Sequence, residues 1–157
     1  MKHWLMKSEP ESFSIDALAR APRRTTCWDG VRNYQARNML RDEMKCGDLA
    51  FFYHSNCETP GIVGIVEIVR EGYPDHTAFD PEDHHFDAKS DPENPRWYMV
   101  DVKLVEKFPR TISLRELKDY AGDRLAGFRL LARGNRLSVM PVSAAHWKFI
   151  KAISKAK

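Results

Sequence analysis

The chain is poor in sulfur chemistry. Cys27, Cys46 and Cys57 are its only cysteines, an odd number with no C-x-x-C pair, which argues against a disulfide framework or a zinc site. Free thiols fit a reducing compartment, so a cytoplasmic location is expected (at the nucleoid in a bacterium, in the nucleus of a eukaryote). No apolar run approaches the roughly 20 residues of a membrane helix, and Met1-Lys2-His3-Trp4 carries no signal-peptide pattern. No membrane partner is expected. Neither G-x-x-x-x-G-K-[ST] nor G-x-G-x-x-G occurs, which disfavours nucleoside-triphosphate and dinucleotide chemistry, and no cofactor is expected. There is no internal repeat. A catalytic Ser–His pair is missing too: His54 and Ser55 are adjacent on a strand and point to opposite faces, whereas Tyr53 and Ser55 share one side.

Against these absences stands an ordinary globular composition, 157 residues with 43% hydrophobic and 30% charged side chains, suited to one domain over residues 1–157. The net charge of +3 is unevenly spread. Residues 1–72 are neutral, residues 73–95 carry one Lys against seven acids, and residues 96–157 carry 14 basic against five acidic side chains. A basic C-terminal part suits a polyanionic partner.

Local patterns predict six strands: 3–7, 25–28, 48–54 (a nearly continuous apolar run), 61–69, 97–108 (alternating) and 136–142. Short helices are expected after Ser14, beyond the Asp29-Gly30 turn as far as about Lys45-Cys46-Gly47, after the capping box Ser113-Leu114-Arg115-Glu116, within 122–134, and after Ser143 with Trp147, Ile150 and Ile153 inward. Residues 72–96 hold four prolines and the acidic cluster and read as one long irregular segment. Its His84-His85, with Asp75, His76, Asp80, Asp83 and Asp87, has metal-ligand residue types but no spacing that fixes a geometry, so no metal is expected. Strands mixed with short helices but lacking βαβ spacing predict an α+β fold with a curved sheet or small barrel.

The stretch Thr25 to Asn38 draws the eye. A short strand ends at Trp28, Asp29-Gly30 turns the chain, and a helix begins beyond. A tryptophan beside free helix N-terminal N–H groups offers a flat apolar face next to hydrogen-bonding edges, as a nucleobase requires. A core Trp with Asp29 as helix cap explains the same residues. Arg32 and Arg37 near this corner, and Arg136 later, suit phosphate contacts.

Several blocks, His3-Trp4-Leu5-Met6-Lys7-Ser8-Glu9-Pro10, Thr26 through Asn38, Phe51 through Cys57, Pro60 through Gly64, Tyr73-Pro74-Asp75, Trp97 through Val102 and Arg136 through Val139, resemble the EVE domain family in family order along essentially the whole chain. The resemblance implies a PUA-like fold, a small mixed β-barrel with peripheral helices, and kinship with YTH domains. It implies binding of modified bases, particularly modified cytosine in DNA, with fusion to restriction modules in some bacterial members. Carried over, Lys7 and Ser8 border the pocket, Trp28 matches a cage tryptophan and Asp29 a base-contacting neighbour. A second cage aromatic of YTH domains falls near Val102, a departure that argues against methyladenine. Strand parity and corner geometry add Asn33, Tyr53, Ser55 and Trp97.

The resulting expectation is a non-catalytic nucleic-acid reader, of DNA or RNA, possessing a pocket for a flipped, modified base, with Arg32, Arg37 and Arg136 on phosphates and a nuclease as a conceivable protein partner. The alternatives are an enzyme on modified nucleotides using Asp29 or His54, and a protein-interaction module built on the acidic 73–95 loop.

Overall fold

The apolar run read from residue 48 becomes the central strand β3, Leu49–His54, buried along its middle. In the computed structural model, which describes residues 1–155, β3 lies between β1 (His3–Ser8), its parallel neighbour, and β4 (Gly61–Pro74), which is antiparallel to it. Further out, β4 pairs with β5 (Tyr98–Ser113) and β5 with β2 (Thr25–Cys27), while β1 pairs with β6 (Val139–Val142). The order is β2-β5-β4-β3-β1-β6.

This is the mixed six-stranded sheet with short helices that the sequence predicts, with one topological qualification: it is not closed. The β4–β5 ladder shifts register at four places, and each irregularity adds twist and bend. The sheet therefore curls until its two ends approach, but no ladder joins β2 to β6. A seam remains between the two edges.

The helices cover the curled sheet. They are α1 (Ile15–Arg20), α2 (Tyr34–Asn38), α3 (Leu114–Lys118) and α4 (Ala144–Ile153), and each is N-capped by a side chain, from Ser14, Asn33, Ser113 and Ser143 respectively. Such a cap is worth about 1 kcal/mol. Helix α2 ends in a π-turn over Met39–Glu43, where the Met44 N–H donates to Met39 O at 2.9 Å. Trp147 of α4 stacks on Phe51 of β3 (centroids 3.9 Å) and meets the His3 ring at a tilt (4.5 Å), and both Trp147 and Trp4 belong to the core.

Several elements differ from the sequence reading, among them β6, which begins only at Val139. Residues 122–134 form turns with a short 3-10 segment at Arg129–Leu131, not a helix, because Gly127 (φ +82°) and Gly134 (φ +77°) reverse the chain. Strands β4 and β5 outrun their predicted ends because each supplies the other's partner as far as Pro74↔Tyr98 and Gly61↔Ser113. Finally, the segment after β4 is ordered by its own acids. The carboxylates of Asp80, Asp83, Asp87 and Asp91 each accept the N–H two residues on, four successive Asx turns. Most of the acidic cluster is thus local turn chemistry.

Candidate functional site

The seam holds a cleft of about 650 Å³, within the range of small-ligand sites. One wall comes from the end of β1 and its neighbours: Lys7, Ser8, Phe13, Ser55, Arg136 and Ser138. The opposite wall comes from β2 and the corner beyond it: Thr26, Cys27, Trp28, Asp29 and Gly30, with His84 and His85 from the acidic segment. Residues from both ends of the sheet meet only because the sheet curls. The Lys7 N–H donates to Ser138 O (2.8 Å), tying the first wall together. The Trp28 N–H donates to Val100 O (2.7 Å), extending β2 by one residue along β5.

Trp28 packs edge-on against Phe52 of β3 (centroids 5.3 Å, 84°) and is 7% exposed. It is core and cleft wall at once, so a ligand meets only a strip of the indole. The Lys7 ammonium lies 5.9 Å from the Tyr53 ring. Burial pushes its pKa down, and it makes no ion pair among the described residues. Arg136 is exposed and likewise unpaired among them. Ser8 Oγ donates to Phe13 O at 2.6 Å, holding the turn after β1.

A buried network fixes the second wall. Asp75 is fully buried. Its carboxylate accepts from the Gly30 N–H (2.8 Å), Arg32 Nη1 (3.0 Å), the Thr77 N–H (2.9 Å) and Thr77 Oγ1 (2.5 Å). Burial alone would raise its pKa; the hydrogen bonds from Thr77, Gly30 and Arg32 outweigh that and hold it below the usual carboxylate value. Arg32 also donates from Nη2 and Nε to His85 O, at 2.6 and 3.1 Å. The His85 ring lies against Gly30, so close that a Cβ there would sit 2.5 Å from it. Trp97 Nε1 donates to Asp87 Oδ2 (2.7 Å) and Tyr34 stacks on the Trp97 ring (4.8 Å), pinning the far end of the segment.

These contacts correct several expectations. Arg32 and Arg37 do not face the cleft: the first is held by Asp75 and His85, the second donates to Arg96 O (2.7 Å) and Asn38 Oδ1 (2.9 Å). Asn33 caps α2, its Oδ1 accepting the Ala36 N–H. Tyr53 is buried beneath Lys7, with burial pushing its phenol up to about 12, and Trp97 is buried behind the wall. The free N–H groups expected beside Trp28 are not free, since Gly30 donates to Asp75 and α2 starts only at Tyr34. Among the sequence-predicted residues the cleft gathers Lys7, Ser8, Trp28, Asp29, Ser55 and Arg136.

Of the two groups suggested for catalysis, Asp29 lines the cleft and His54 does not. His54 Nε2 accepts the Ile15 N–H at the start of α1 (3.1 Å), so its lone pair is occupied away from the cleft. The thiol of Cys27, a further wall residue, is pushed up by burial and by the carboxylates of Asp29 and Asp101, the opposite of an activated nucleophile.

The sequence matches the EVE domain model over residues 2–153. The chain belongs to the EVE domain family. Rat thymocyte nuclear protein 1 is 51% identical over 99% of this chain and 74% of its own length. The human THYN1 protein in complex with 5-methylcytosine containing DNA superposes with a TM-score of 0.95, at 48% identity over 100% of this chain and 99% of that one. A Pseudomonas putida protein superposes at 0.91 with 52% identity, over 97% and 99% of the two chains.

In this EVE domain, sequence reasoning overlooked His84 and His85 as wall residues, along with Thr26, Cys27 and Ser138. His84 and His85 fall in a segment read as a solvated loop, and no local pattern says that it folds onto the corner. Parity along β2 and the run to Trp28 do signal Thr26 and Cys27, because they flank the tryptophan.

Proposed function

We propose that this EVE domain is a non-catalytic reader that binds DNA and takes one base, a modified cytosine, into the cleft beside Trp28. The observation that carries this reading is the cleft's makeup: two unpaired cations, Lys7 and Arg136, with two serines beside them on one wall, facing an indole edge and a carboxylate on the other. Likeness along the whole chain to a protein solved with 5-methylcytosine containing DNA supports it. A base inside a duplex has its edges paired and its faces stacked, so it must leave the helix to enter such a cleft.

Lys7, Ser8, Asp29 and Ser55 would contact the base edge, and Arg136 a flanking phosphate. Arg32, Asn33, Arg37, Tyr53 and Trp97 act through others: they position the wall and the floor. Because Trp28 is 7% exposed, stacking on it supplies only part of the usual 1–3 kcal/mol, about that much being typical per base. Burying one methyl contributes about 0.8 kcal/mol, a preference of roughly fourfold. A larger preference requires that the unmodified base leave a polar group unsatisfied. The family match over residues 2–153 supports treating the chain as one such domain, and a nuclear relative in animals fits a DNA-bearing compartment.

The test is a titration, followed by tryptophan fluorescence, of DNA and RNA oligonucleotides carrying cytosine, 5-methylcytosine, 5-hydroxymethylcytosine or N6-methyladenine. Preference for a modified cytosine, lost in Lys7→Gln and Trp28→Phe while both remain folded, supports the reading. Equal binding of all bases, or turnover of any of them, overturns it.

A further inference from the structure

Two consecutive arginines at the start of the second wall adopt a backbone conformation that arginine rarely takes. Arg23 and Arg24 have φ of +57° and +51°, in the left-handed region where an L side chain crowds its own backbone. The turn that holds them is over-determined. Pro22 opens it, the Arg24 N–H donates to Ala21 O (2.8 Å), the Thr25 N–H donates to Pro22 O, and Thr25 Oγ1 donates to Arg23 O (2.9 Å). Strain kept in place this way tends to mark a functional position.

Both guanidiniums are exposed, and neither makes a hydrogen bond or ion pair among the described residues. They sit directly before β2, whose Thr26 and Cys27 line the cleft. At a strand rise of about 3.3 Å per residue, Arg24 stands roughly 7 Å from Thr26. Arg136, an unpaired arginine that lines the cleft, belongs to the opposite wall. Arg136 is thus a free cation at the cleft and Arg23 and Arg24 are free cations one turn along the chain from its opposite wall, while Arg32 and Arg37, the arginines nearest the tryptophan in sequence, are internally bonded.

We propose that Arg23 and Arg24 form a phosphate-contact site for the nucleic-acid backbone on the β2 side of the cleft, opposite Arg136. The turn presents two adjacent exposed guanidiniums immediately before the strand whose Thr26 and Cys27 line the cleft. Such contacts hold the strand and carry no sequence information. The proposal rests on the reading of the cleft as a nucleic-acid site and extends it to the backbone.

The experiment uses Arg23→Gly/Arg24→Gly, because glycine accepts φ near +55° without strain. A purely structural role for the arginines would lower the melting temperature; removal of strained phosphate contacts leaves it unchanged or raises it. Binding of a duplex with one 5-methylcytosine is measured from 50 to 200 mM salt, beside a charge-matched control, Lys148→Ala/Lys155→Ala. Those lysines belong to the chain around α4, whose Trp147 meets the His3 ring at the far end of β1 from Lys7. The expected result is a slope of log affinity against log salt reduced by about 2 in the glycine variant, with affinity down on the order of tenfold per arginine at 50 mM. Any preference for the modified base persists and the control matches the wild type. An unchanged slope and affinity, or an equal loss in the control, overturns the proposal. If wild type binds modified and unmodified DNA alike yet the slope difference persists, the base reading fails and the phosphate site stands. No salt-dependent binding by the wild type overturns both.

Discussion

Asp75 and Gly30 show how much of the cleft depends on single residues. Asp75 is a fully buried carboxylate with four donors, one of them a guanidinium. Asp75→Ala leaves Arg32 partly buried without its counter-charge, and breaking such a pair costs about 3 kcal/mol or more. Urea unfolding should report that loss, and an effect below about 1 kcal/mol would mean the network contributes little. At Gly30 two penalties coincide: a φ of +78° and a Cβ that would meet the His85 ring at 2.5 Å. Gly30→Ala should therefore destabilise by about 1–2 kcal/mol from the backbone alone, with a further part from the clash. In a double-mutant cycle, His85→Ala should recover the clash and leave the backbone part. Full additivity of the two substitutions would show that the ring moves aside freely.

At the scale of elements, α1 is docked by an acceptor outside its own cap. The His54 imidazole must be neutral at Nε2 to accept the Ile15 N–H. Burial pulls its pKa down, with Asp16 opposing and Lys107 adding to the shift. His3 is lowered too, by burial and by the charged N-terminus. The unfolded chain then takes up protons near the ordinary histidine value of about 6.5, where the folded chain does not. Stability is fully present above that value and falls as pH drops through it toward the lower folded pKa values. Denaturant midpoints measured between pH 7.5 and 5 should decline, and His54→Gln should flatten the decline. A midpoint constant over that range would contradict the assignment. The acidic segment belongs to this scale as well. Its aspartates close Asx turns, and Asp87 holds Trp97 Nε1, so as an element it is a wall of the cleft before it is a charged surface.

For the molecule as a whole, the open seam makes both sheet edges part of one site. A ligand bound there stabilises the fold by about 2.7 kcal/mol at a hundredfold excess over Kd. We expect a 5-methylcytosine oligonucleotide at that concentration to slow amide exchange in β2, and around Lys7 and Ser138 beside β6, together. Protection of only one edge would place the ligand outside the seam.

Much of this molecule is legible in its sequence because the signals are local. Strand β3 follows from a continuous apolar run, the helix starts from Ser14, Ser113 and Ser143, and the family from blocks that keep their order. Lys7, Ser8, Trp28 and Asp29, which the family resemblance carries over, all line the cleft. What only the tertiary structure decided is which polar groups remain available. Arg32 looks like a phosphate ligand until Asp75, Thr77 and His85, 43 to 53 residues away, take its donors. Arg136 looks ordinary until the fold leaves it without a partner in the cleft wall. Local pattern fixes where a residue sits on its element. Whether its charge is satisfied depends on contacts across the sheet, and no short-range pattern encodes those.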